Sequence, residues 1–365
     1  MKNFVVFGGT FDPVHNGHLR ISEKAAEKFN AAVIFVPAKA PRWKTPKETS
    51  NQRLDMLKIA LKNAKFEYEI CDFELNSETE VNYSIDTVKY LKNLHEEDNL
   101  YFLIGADQVE KFRDWKDANE LSKIARIVYV SRPGFKLNES IIKEFNMLDL
   151  EFLESGVVSS SSIREMKSVD LPFDVLKYIE NNRLYFVKKL AELIPEKRLN
   201  HSIEVANLAL KVALVNKLEP LDKYYFASLI HDIAKGWKKE SENMVAIMKE
   251  YYPEYLDIPS FAYHQFVGEY LAKAKLGVKD PEILDAIKFH CTGKANMSPL
   301  GMVVYACDKI EPTRDFDSTW LIDACMKDWK VGFLTTLEDN RKYLLSAKKD
   351  ITNRLTNECF AMYLK

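Results

Sequence analysis

The chain has 365 residues, of which 47% are hydrophobic and 29% are charged, and its formal net charge at pH 7 is −2. This length exceeds one ordinary hydrophobic core and predicts two domains. The composition excludes a disordered or fibrous chain, and the small charge excludes a global field that would draw nucleic acid or an anionic membrane. Any phosphate binding must therefore come from local groups of backbone amides, lysines and metals.

The cysteines and the apolar segments bear on the compartment. Five cysteines without a C-x-x-C pair indicate thiols that stay reduced. No stretch approaches about 18 uninterrupted apolar residues, so we expect no membrane span. The chain opens directly into a predicted strand, so we also expect no signal peptide. The sequence thus predicts a cytoplasmic protein with neither nucleic acid nor membrane as a partner, and it leaves a homo-oligomer open.

The first half of the chain alternates predicted strands and helices. Strands are predicted at residues 4–7, 32–37, 66–71, 101–104 and 125–130, and helices at 17–29, 51–63 and 84–94. Continuous apolar strands between helices indicate an α/β, Rossmann-like doubly wound parallel sheet. Such a sheet binds ligands at the carboxyl ends of its strands, where residues 8–18 and 105–107 are expected to lie.

From about residue 190 onward, the pattern of apolar residues has only helical periodicity. Helices are predicted at residues 203–215, 224–234, 241–252, 267–274, 282–289 and 300–309. The change in character predicts an all-α helical bundle after the α/β part. We place the α/β domain at residues 1–187 and the helical domain at 188–365.

A turn rich in glycine and histidine follows the first predicted strand. Gly8 and Gly9 permit close backbone approach to a ligand, and Thr10 adds a hydroxyl. His15 and His18 lie three residues apart at the start of a helix, so both rings can face one phosphate chain. This combination suits the stabilisation of negative charge on an α-phosphate under in-line attack. Either histidine alone would more often be a loop or capping residue.

A serine run supplies a second candidate element. The sequence V-S-S-S-S-I-R at residues 158–164 precedes a helical stretch. It offers hydroxyl caps, free amides and the guanidinium of Arg164 at one helix start. Alone, such a run is usually an ordinary cap, and it becomes informative beside the histidine turn.

Together these motifs resemble those of the H-x-G-H nucleotidyltransferase superfamily, and residues 1–185 look most like bacterial nicotinate-nucleotide adenylyltransferases. Further segments follow in the family's order at residues 41–44, 53–56, 83–87 and 105–115. The resemblance implies transfer of AMP from ATP to nicotinate mononucleotide, with Mg²⁺ and with release of pyrophosphate, as a step of NAD biosynthesis. The H-x-G-H motif is shared with transferases of phosphopantetheine and glycerol phosphate, so the acceptor stays open.

The resemblance also implies roles for individual residues. The catalytic residues of transfer would be His15, His18, Lys44 and Arg164. ATP would be bound by Gly8, Gly9, Thr10, Phe11, His18, Asp107, Ser160, Ser161 and Arg164. Nicotinate mononucleotide would be bound by Lys44, Tyr83, Ser84 and Trp115. Two departures from the family pattern, Trp43 for a histidine and Ser84 for a threonine, bear on substrate affinity and leave the catalytic motif intact.

The helical half carries a second group of histidines and aspartates. These residues are His201, His231, Asp232, His264, His290 and Asp308. Imidazole and carboxylate ligands suit Fe, Mn, Zn or Mg, and the absence of clustered cysteines argues against structural zinc. His201, His231, Asp232 and Asp308 would suffice for one metal. His264 and His290 would then be surplus, unless a second metal shares Asp232 as a bridge, an arrangement suited to phosphate hydrolysis.

This half resembles the HD-domain metal-dependent phosphohydrolases. Its motifs are most similar to those of the symmetrical diadenosine tetraphosphate hydrolases. The matching segments are residues 198–202, 229–235, 290–293, 296–298 and 305–314. The resemblance implies one or two divalent metals, Fe or Mn, and cleavage of diadenosine tetraphosphate into two ADP. It makes Asp232 and Lys235 catalytic, and Lys235, Lys294 and Arg314 phosphate contacts. Cys291 stands where a threonine is usual.

The sequence therefore predicts a bifunctional enzyme whose partners are ATP, nicotinate mononucleotide and diadenosine tetraphosphate. One alternative is a transferase whose helical half only senses nucleotides, against which the complete ligand set argues. Another alternative keeps both activities and changes the substrates, with a different acceptor for the first half and other nucleotides for the second.

Overall fold

The structure is a computed structural model that describes residues 1–39, 45–79, 81–131, 137–152, 158–238, 241–347 and 353–364. The chain divides into two compact units, Met1–Tyr185 and Phe186–Lys365. The predicted domain boundary lies two residues later and stays a prediction. Among the helices described, none combines the length and the apolar character that a bilayer crossing requires.

The first unit is built on a sheet of six parallel strands. The strands are β1 (Asn3–Gly9), β2 (Ala32–Pro37), β3 (Tyr68–Ile70), β4 (Asn99–Gly105), β5 (Arg126–Val130) and β6 (Leu148–Asp149). Their order across the sheet is β3-β2-β1-β4-β5-β6. The order reverses between β1 and β4, which is where doubly wound sheets open a crevice for ligands. The Rossmann-like α/β class is thereby confirmed.

Helices cover this sheet and complete its core. They are α1 (Asn16–Phe29), α2 (Ser50–Leu61), α3 (Ser84–Leu94), α4 (Ala106–Val109), α5 (Ala118–Ile124), α6 (Glu139–Glu144), α7 (Ser160–Arg164) and α8 (Phe173–Asn181). Val6 and Phe102 of the sheet belong to one buried apolar cluster with Val88 of α3 and Leu121 of α5. This packing fixes the carboxyl ends of β1 and β4 relative to the helices that follow them.

The second unit consists of helices and the turns between them, with no strand among its described residues. It contains α9 (Tyr185–Ala191), α10 (Glu196–Val215), α11 (Leu221–Ile230), α12 (Glu242–Tyr251), α13 (Tyr263–Leu276), α14 (Pro281–Phe289), α15 (Pro299–Ile310), α16 (Thr319–Lys327), α17 (Trp329–Ser346) and α18 (Arg354–Tyr363). Short 3₁₀ turns cover Phe112–Asp114 in the first unit and Pro253–Tyr255 and Ser260–Ala262 here. Val205 of α10, Ala227 of α11 and Val304 of α15 share one buried cluster. The predicted all-α class is confirmed.

Two departures from the predicted helices matter for the site. Helix α10 begins at Glu196, seven residues earlier than predicted, directly after Pro195. The helix predicted over 224–234 ends at Ile230, and residues 231–236 form turns. Ile233 and Ala234 in that turn are apolar and buried and continue the helical pattern, so sequence periodicity alone could not mark the end.

Candidate active sites

The turn between β1 and α1 places both histidines of the first motif at a helix start. His15 is the N-cap residue of α1, and His18 lies in its first turn. Their rings stack with centroids 3.7 Å apart and planes 26° apart. The backbone N–H of His15 donates to Nδ1 of His18 over 3.2 Å. In a neutral ring, this bond places the proton of His18 on Nε2, where it can donate to a phosphate oxygen.

Close packing beneath His18 explains one of the glycines. A Cβ on Gly9 would lie 2.9 Å from Cζ of Phe11. Phe11 itself has a φ of +50°, in the left-handed region that few side chains adopt. Its buried ring meets the ring of His18 edge-on, with centroids 5.2 Å apart. Gly9 thus makes room for the ring that supports His18.

The serine run docks on the same turn through two side chains. Ser160 Oγ donates to the carbonyl O of Pro13 over 2.9 Å. Arg164 Nη1 donates to the carbonyl O of Asp12 over 2.5 Å, and its Nη2 donates to Ser161 Oγ over 2.9 Å. These contacts join residues 147 and 152 positions apart, so the two motifs form one site.

Three residues without a predicted role also hold this turn, namely Asp12, Tyr185 and Arg53. The buried carboxylate of Asp12 accepts from the hydroxyl of Tyr185 over 2.8 Å and from the backbone N–H of Lys47 over 2.7 Å. Burial and the neighbouring Asp12 raise the pKa of Tyr185 far above its usual value, so the hydroxyl keeps its proton. Arg53 is fully buried, and its Nη1 donates to the carbonyl O of Thr10 over 2.6 Å.

A cavity of about 520 Å³ opens at the carboxyl ends of β1 and β4. Seven predicted substrate residues line it, namely Gly8, Gly9, Thr10, Tyr83, Ser84, Asp107 and Trp115. Its volume is within the usual range for small-molecule sites. Trp115 packs edge-on against Phe102, with centroids 6.1 Å apart. Residues predicted for ATP and residues predicted for nicotinate mononucleotide thus face one space.

Several predicted residues have a different place. Among the described residues, Phe11, His15, His18, Ser160, Ser161 and Arg164 do not line this cavity. They belong to the adjoining turn and to α7 docked on it, and Thr10 of this turn also lines the cavity. Lys44, like Trp43, lies outside the described residues, so its predicted phosphate contact stays a prediction.

In the second unit, five elements bring the predicted metal ligands together. His201 lies on α10, His264 on α13 and Asp308 on α15. His231 and Asp232 follow α11, and His290 follows α14. Together with cations, they line a cavity of about 190 Å³. His231 lies beside the lining residues and contacts Asp308.

Asp232 lies at the centre of this cluster, and its two oxygens face different histidines. Oδ2 lies 4.0 Å from His201 Nε2 and 3.9 Å from His231 Nε2. Oδ1 lies 3.5 Å from His264 Nε2 and 3.3 Å from His290 Nε2. The carboxylate can therefore ligate on both sides, as the predicted bridging role requires.

Asp308 completes the first side of the cluster. Its Oδ1 lies 3.0 Å from His201 Nε2 and 3.4 Å from His231 Nε2. Lys309 Nζ contacts the other oxygen, Oδ2, over 2.7 Å. Burial alone would raise the pKa of Asp308, but the charge of Lys309 and the bond from His201 hold it well below its usual value. The carboxylate is thus ionised, as a ligand must be.

The four histidines share one orientation. Each directs Nε2 into the cluster and Nδ1 away from it. In three of them Nδ1 faces a backbone carbonyl O: His231 faces Ser228 (2.6 Å), His264 faces Phe261 (2.8 Å) and His290 faces Ile287 (2.8 Å). Nδ1 of His201 instead lies 3.1 Å from Glu311 Oε1. A partner on the outer nitrogen fixes the tautomer and ring orientation that metal-binding histidines need.

The protonation of these rings differs across the cluster. Burial and the charge of Lys235 hold the pKa of His264 well below its usual value. Burial also lowers the pKa of His290. Burial would lower the pKa of His201 too, but its bonds to Asp308 and Glu311 raise that pKa to about 8. A metal bound at His201 would therefore replace a proton.

Cations surround the cluster at the cavity wall. Lys235 and Arg314, two of the three predicted phosphate contacts, line the cavity. Arg314 Nη2 lies 2.9 Å from Asp308 Oδ1. Lys294, the third, pairs with Asp285 over 2.7 Å and is not among the described lining residues. Arg198 and Lys309 line the cavity without having been assigned a role.

Glu311 is a further residue that carried no predicted role. It is buried, and it orients His201 through the Nδ1 contact. Thr313 in turn donates to Glu311 through its backbone N–H over 2.6 Å. The spacing of Glu311 three residues after Asp308 was the available signal, because residues three apart share a helix face.

The ligand set fits divalent metal ions. His231 Nε2 is buried and makes no hydrogen bond with any described residue. Such a nitrogen is costly to bury unless it has a partner, which a metal ion would supply. Three sets of ligand atoms lie within 4.8 Å of one another: His201 with His231 and Asp232, His231 with His290 and Asp308, and Asp232 with His264 and His290. Nitrogen and oxygen donors of this kind suit Fe, Mn or Zn.

Comparison with known proteins agrees with this division. Residues 6–166 match the cytidylyltransferase-like family, and residues 198–313 match the HD domain family. A protein of Mycoplasma genitalium, named "Probable nicotinate-nucleotide adenylyltransferase/Ap4A hydrolase", is 31% identical over 360 residues, which are 96% of this chain and 99% of that protein. A protein of Mycoplasma pneumoniae with the same name is 32% identical over 359 residues, 95% of this chain and 100% of that protein.

A solved structure is also similar to part of this chain. It is described as an HD superfamily hydrolase involved in NAD metabolism from Clostridium acetobutylicum. Its sequence identity is 30% and its TM-score is 0.44, and the match covers 48% of this chain and 94% of that chain.

Proposed function

The chain belongs to the family of these nicotinate-nucleotide adenylyltransferase/Ap4A hydrolases, and from that premise we propose that it carries two activities. The first unit transfers AMP from ATP to nicotinate mononucleotide, and the second hydrolyses diadenosine tetraphosphate to two ADP. The two activities use separate sites, one at the carboxyl ends of β1 and β4 and one around Asp232.

In the transfer reaction, a phosphate oxygen of nicotinate mononucleotide attacks the α-phosphorus of ATP. The new P–O bond forms nicotinate adenine dinucleotide, and the bond to the leaving pyrophosphate breaks. His18, with its proton on Nε2, donates to the charge that develops on the α-phosphate, and His15 and Arg164 hold the same phosphate chain. Bound Mg²⁺ would neutralise phosphate charge.

The acceptor would lie in the 520 Å³ cavity. Tyr83 and Trp115 give it aromatic walls, which suit a flat pyridine ring. Ser84 and Lys44 would contact the acceptor, and Asp107, with Gly8 to Thr10, would line the nucleotide side.

The hydrolase proposal depends on one observation, the placement of both Asp232 oxygens between two pairs of imidazoles. His201, His231 and Asp308 would hold one divalent ion with Asp232, and His264 and His290 a second. Bound Fe²⁺ or Mn²⁺ would supply an activated water and neutralise phosphate charge. Lys235 and Arg314 line the cavity and would hold phosphate oxygens. Lys294 could do so only after leaving Asp285.

The test uses the full-length protein and two substrate panels. With ATP and Mg²⁺, nicotinate mononucleotide should be turned over far faster than phosphopantetheine. Preferential use of phosphopantetheine would contradict the transferase assignment. With Fe²⁺ or Mn²⁺, diadenosine tetraphosphate should give ADP alone, because water adds at the central linkage. ATP with AMP as products would contradict symmetrical cleavage. Absence of hydrolysis with Fe²⁺, Mn²⁺ and Mg²⁺ would favour the alternative in which the helical unit only senses nucleotides.

A further inference from the structure

Lys235 contacts one of the proposed metal ligands directly. It lies in the turn after α11, where its backbone N–H donates to the carbonyl O of Asp232 over 2.8 Å. Its Nζ lies 2.9 Å from Nε2 of the buried His264. Nδ1 of His264 faces the carbonyl O of Phe261 and therefore carries the ring proton. The lone pair is then on Nε2, where it accepts from the ammonium group of Lys235.

The nitrogen that Lys235 contacts is the one that His264 would offer to a metal. A neutral imidazole has a single lone pair in its ring plane, so an ammonium group and a metal cannot share it. Their like charges would also repel at this distance. The neighbouring His290 Nε2 lies 3.2 Å from His264 Nε2. An ion held by Asp232, His264 and His290 therefore requires Lys235 to move.

The other side of Asp232 lacks this conflict. Its cations are Lys309 and Arg314, which contact the carboxylate of Asp308, and Arg198, which lies 3.7 Å from Asp232 Oδ2; none of these contacts is to an imidazole. A carboxylate offers about four lone-pair positions, so it can bind a cation and a metal together. His231 Nε2 makes no hydrogen bond with a described residue. A metal on this side therefore displaces no lysine from an imidazole.

We propose that Lys235 makes the two halves of the metal site unequal. The first divalent ion binds at His201, His231, Asp308 and Asp232. The second ion binds with His264 and His290 only after Lys235 has left His264, so at low metal concentration the site holds one ion. This inference rests on the proposed divalent metal centre and adds the order in which it fills and the residue that sets that order.

The test is a Mn²⁺ titration of the metal-free full-length protein, by equilibrium dialysis and electron paramagnetic resonance. The unchanged protein should bind one ion tightly and a second at least about tenfold more weakly. Lys235→Met and Lys235→Gln remove the ammonium group in two ways. Each should tighten the second ion about ten- to a hundredfold and leave the first within about threefold. The signal of a spin-coupled Mn²⁺ pair should accordingly appear at lower metal concentration.

Lys273→Met is the matched control, because Lys273 lies on α13 with His264 but pairs with Glu269 and is not among the described cavity residues. It should leave both affinities unchanged. Two ions of equal affinity in the unchanged protein would overturn the proposal. So would Lys235 variants with a native circular dichroism spectrum and an unchanged second ion. Absence of any bound ion would instead contradict the metal centre itself.

Discussion

The two histidines of the first motif have different hydrogen-bond partners, and this difference indicates which of them donates to the phosphate. The backbone N–H of His15 fixes Nδ1 of His18 as an acceptor, which leaves the Nε2 proton for the substrate. His15 is the N-cap residue and contributes its own backbone to that arrangement. His18 is therefore the donor whose loss should be felt most in the transition state.

His18→Ala should lower kcat of adenylyl transfer by about 10²–10³ and leave ATP binding largely intact, as expected when one transition-state donor is lost. Steady-state kinetics with nicotinate mononucleotide give kcat and KM separately. His201→Ala, which changes the other unit, should leave the transfer kinetics unchanged. A loss confined to KM would assign His18 to ground-state binding only.

Residue type and spacing in the sequence were enough to identify the histidines of both sites. Histidines are scarce in the chain, and the six that fall in motifs lie in the two sites. Spacing could not reveal Asp12 or Tyr185, because these residues act by orienting others. Tyr185 reaches Asp12 across 173 positions, a contact that only the folded unit creates.

At the scale of helices and strands, the sequence predicted the bounds of some elements and missed other elements altogether. Strand β2 and helix α3 have the predicted bounds. Helices α16 to α18 were not predicted. In α17 only Gly332, Phe333, Thr336 and Leu337 are buried, so its apolar stripe is short compared with its 18 residues. The two-residue strand β6 is likewise too short for an apolar pattern to develop.

One of these helices depends on a glycine at a close crossing. A Cβ on Gly332 of α17 would lie 2.5 Å from Sγ and 2.6 Å from the backbone N of Cys325 on α16. Backbone atoms cannot give way as a flexible side chain can. Gly332→Ala should therefore destabilise the helical unit by about 1–3 kcal/mol, even though alanine favours helix formation.

Urea unfolding followed by circular dichroism measures this free energy. Gly301→Ala is the matched control, because a Cβ there would meet its nearest atom, Met297 Cε, at an ordinary 3.5 Å. That variant should be unchanged or slightly more stable. Equal unfolding free energies for the two variants would show that α16 and α17 can separate without cost.

At the scale of the whole molecule, length alone predicted two domains, and each unit has its own buried apolar cluster. The composition carried no information on where ligands converge. In the helical unit, the ligands come from α10, α13, α15 and the turns after α11 and α14, so only the folded bundle assembles the site. Metal binding and folding of this unit should consequently be coupled.

Calorimetry of the full-length protein should therefore show a metal effect on one unit alone. Free Mn²⁺ at 100 times its Kd should stabilise the helical unit by about 2.7 kcal/mol, since the ion binds only the folded state. For a unit of this size, that corresponds to a rise in Tm of about 5–10 °C. The thermal transition of the first unit, which is identified by the loss of adenylyl transfer on heating, should keep its Tm.

Asp232→Ala tests whether the ion that raises the Tm of the helical unit binds at the cluster around Asp232. The variant loses the one carboxylate that faces both pairs of imidazoles, so bound metal, the Tm shift and hydrolysis should disappear together. Adenylyl transfer should be retained, because His18 and its surroundings belong to the first unit. Asp285→Ala, which changes the partner of Lys294, should keep its metal. A Tm shift that survives in Asp232→Ala would place the stabilising ion elsewhere in the helical unit.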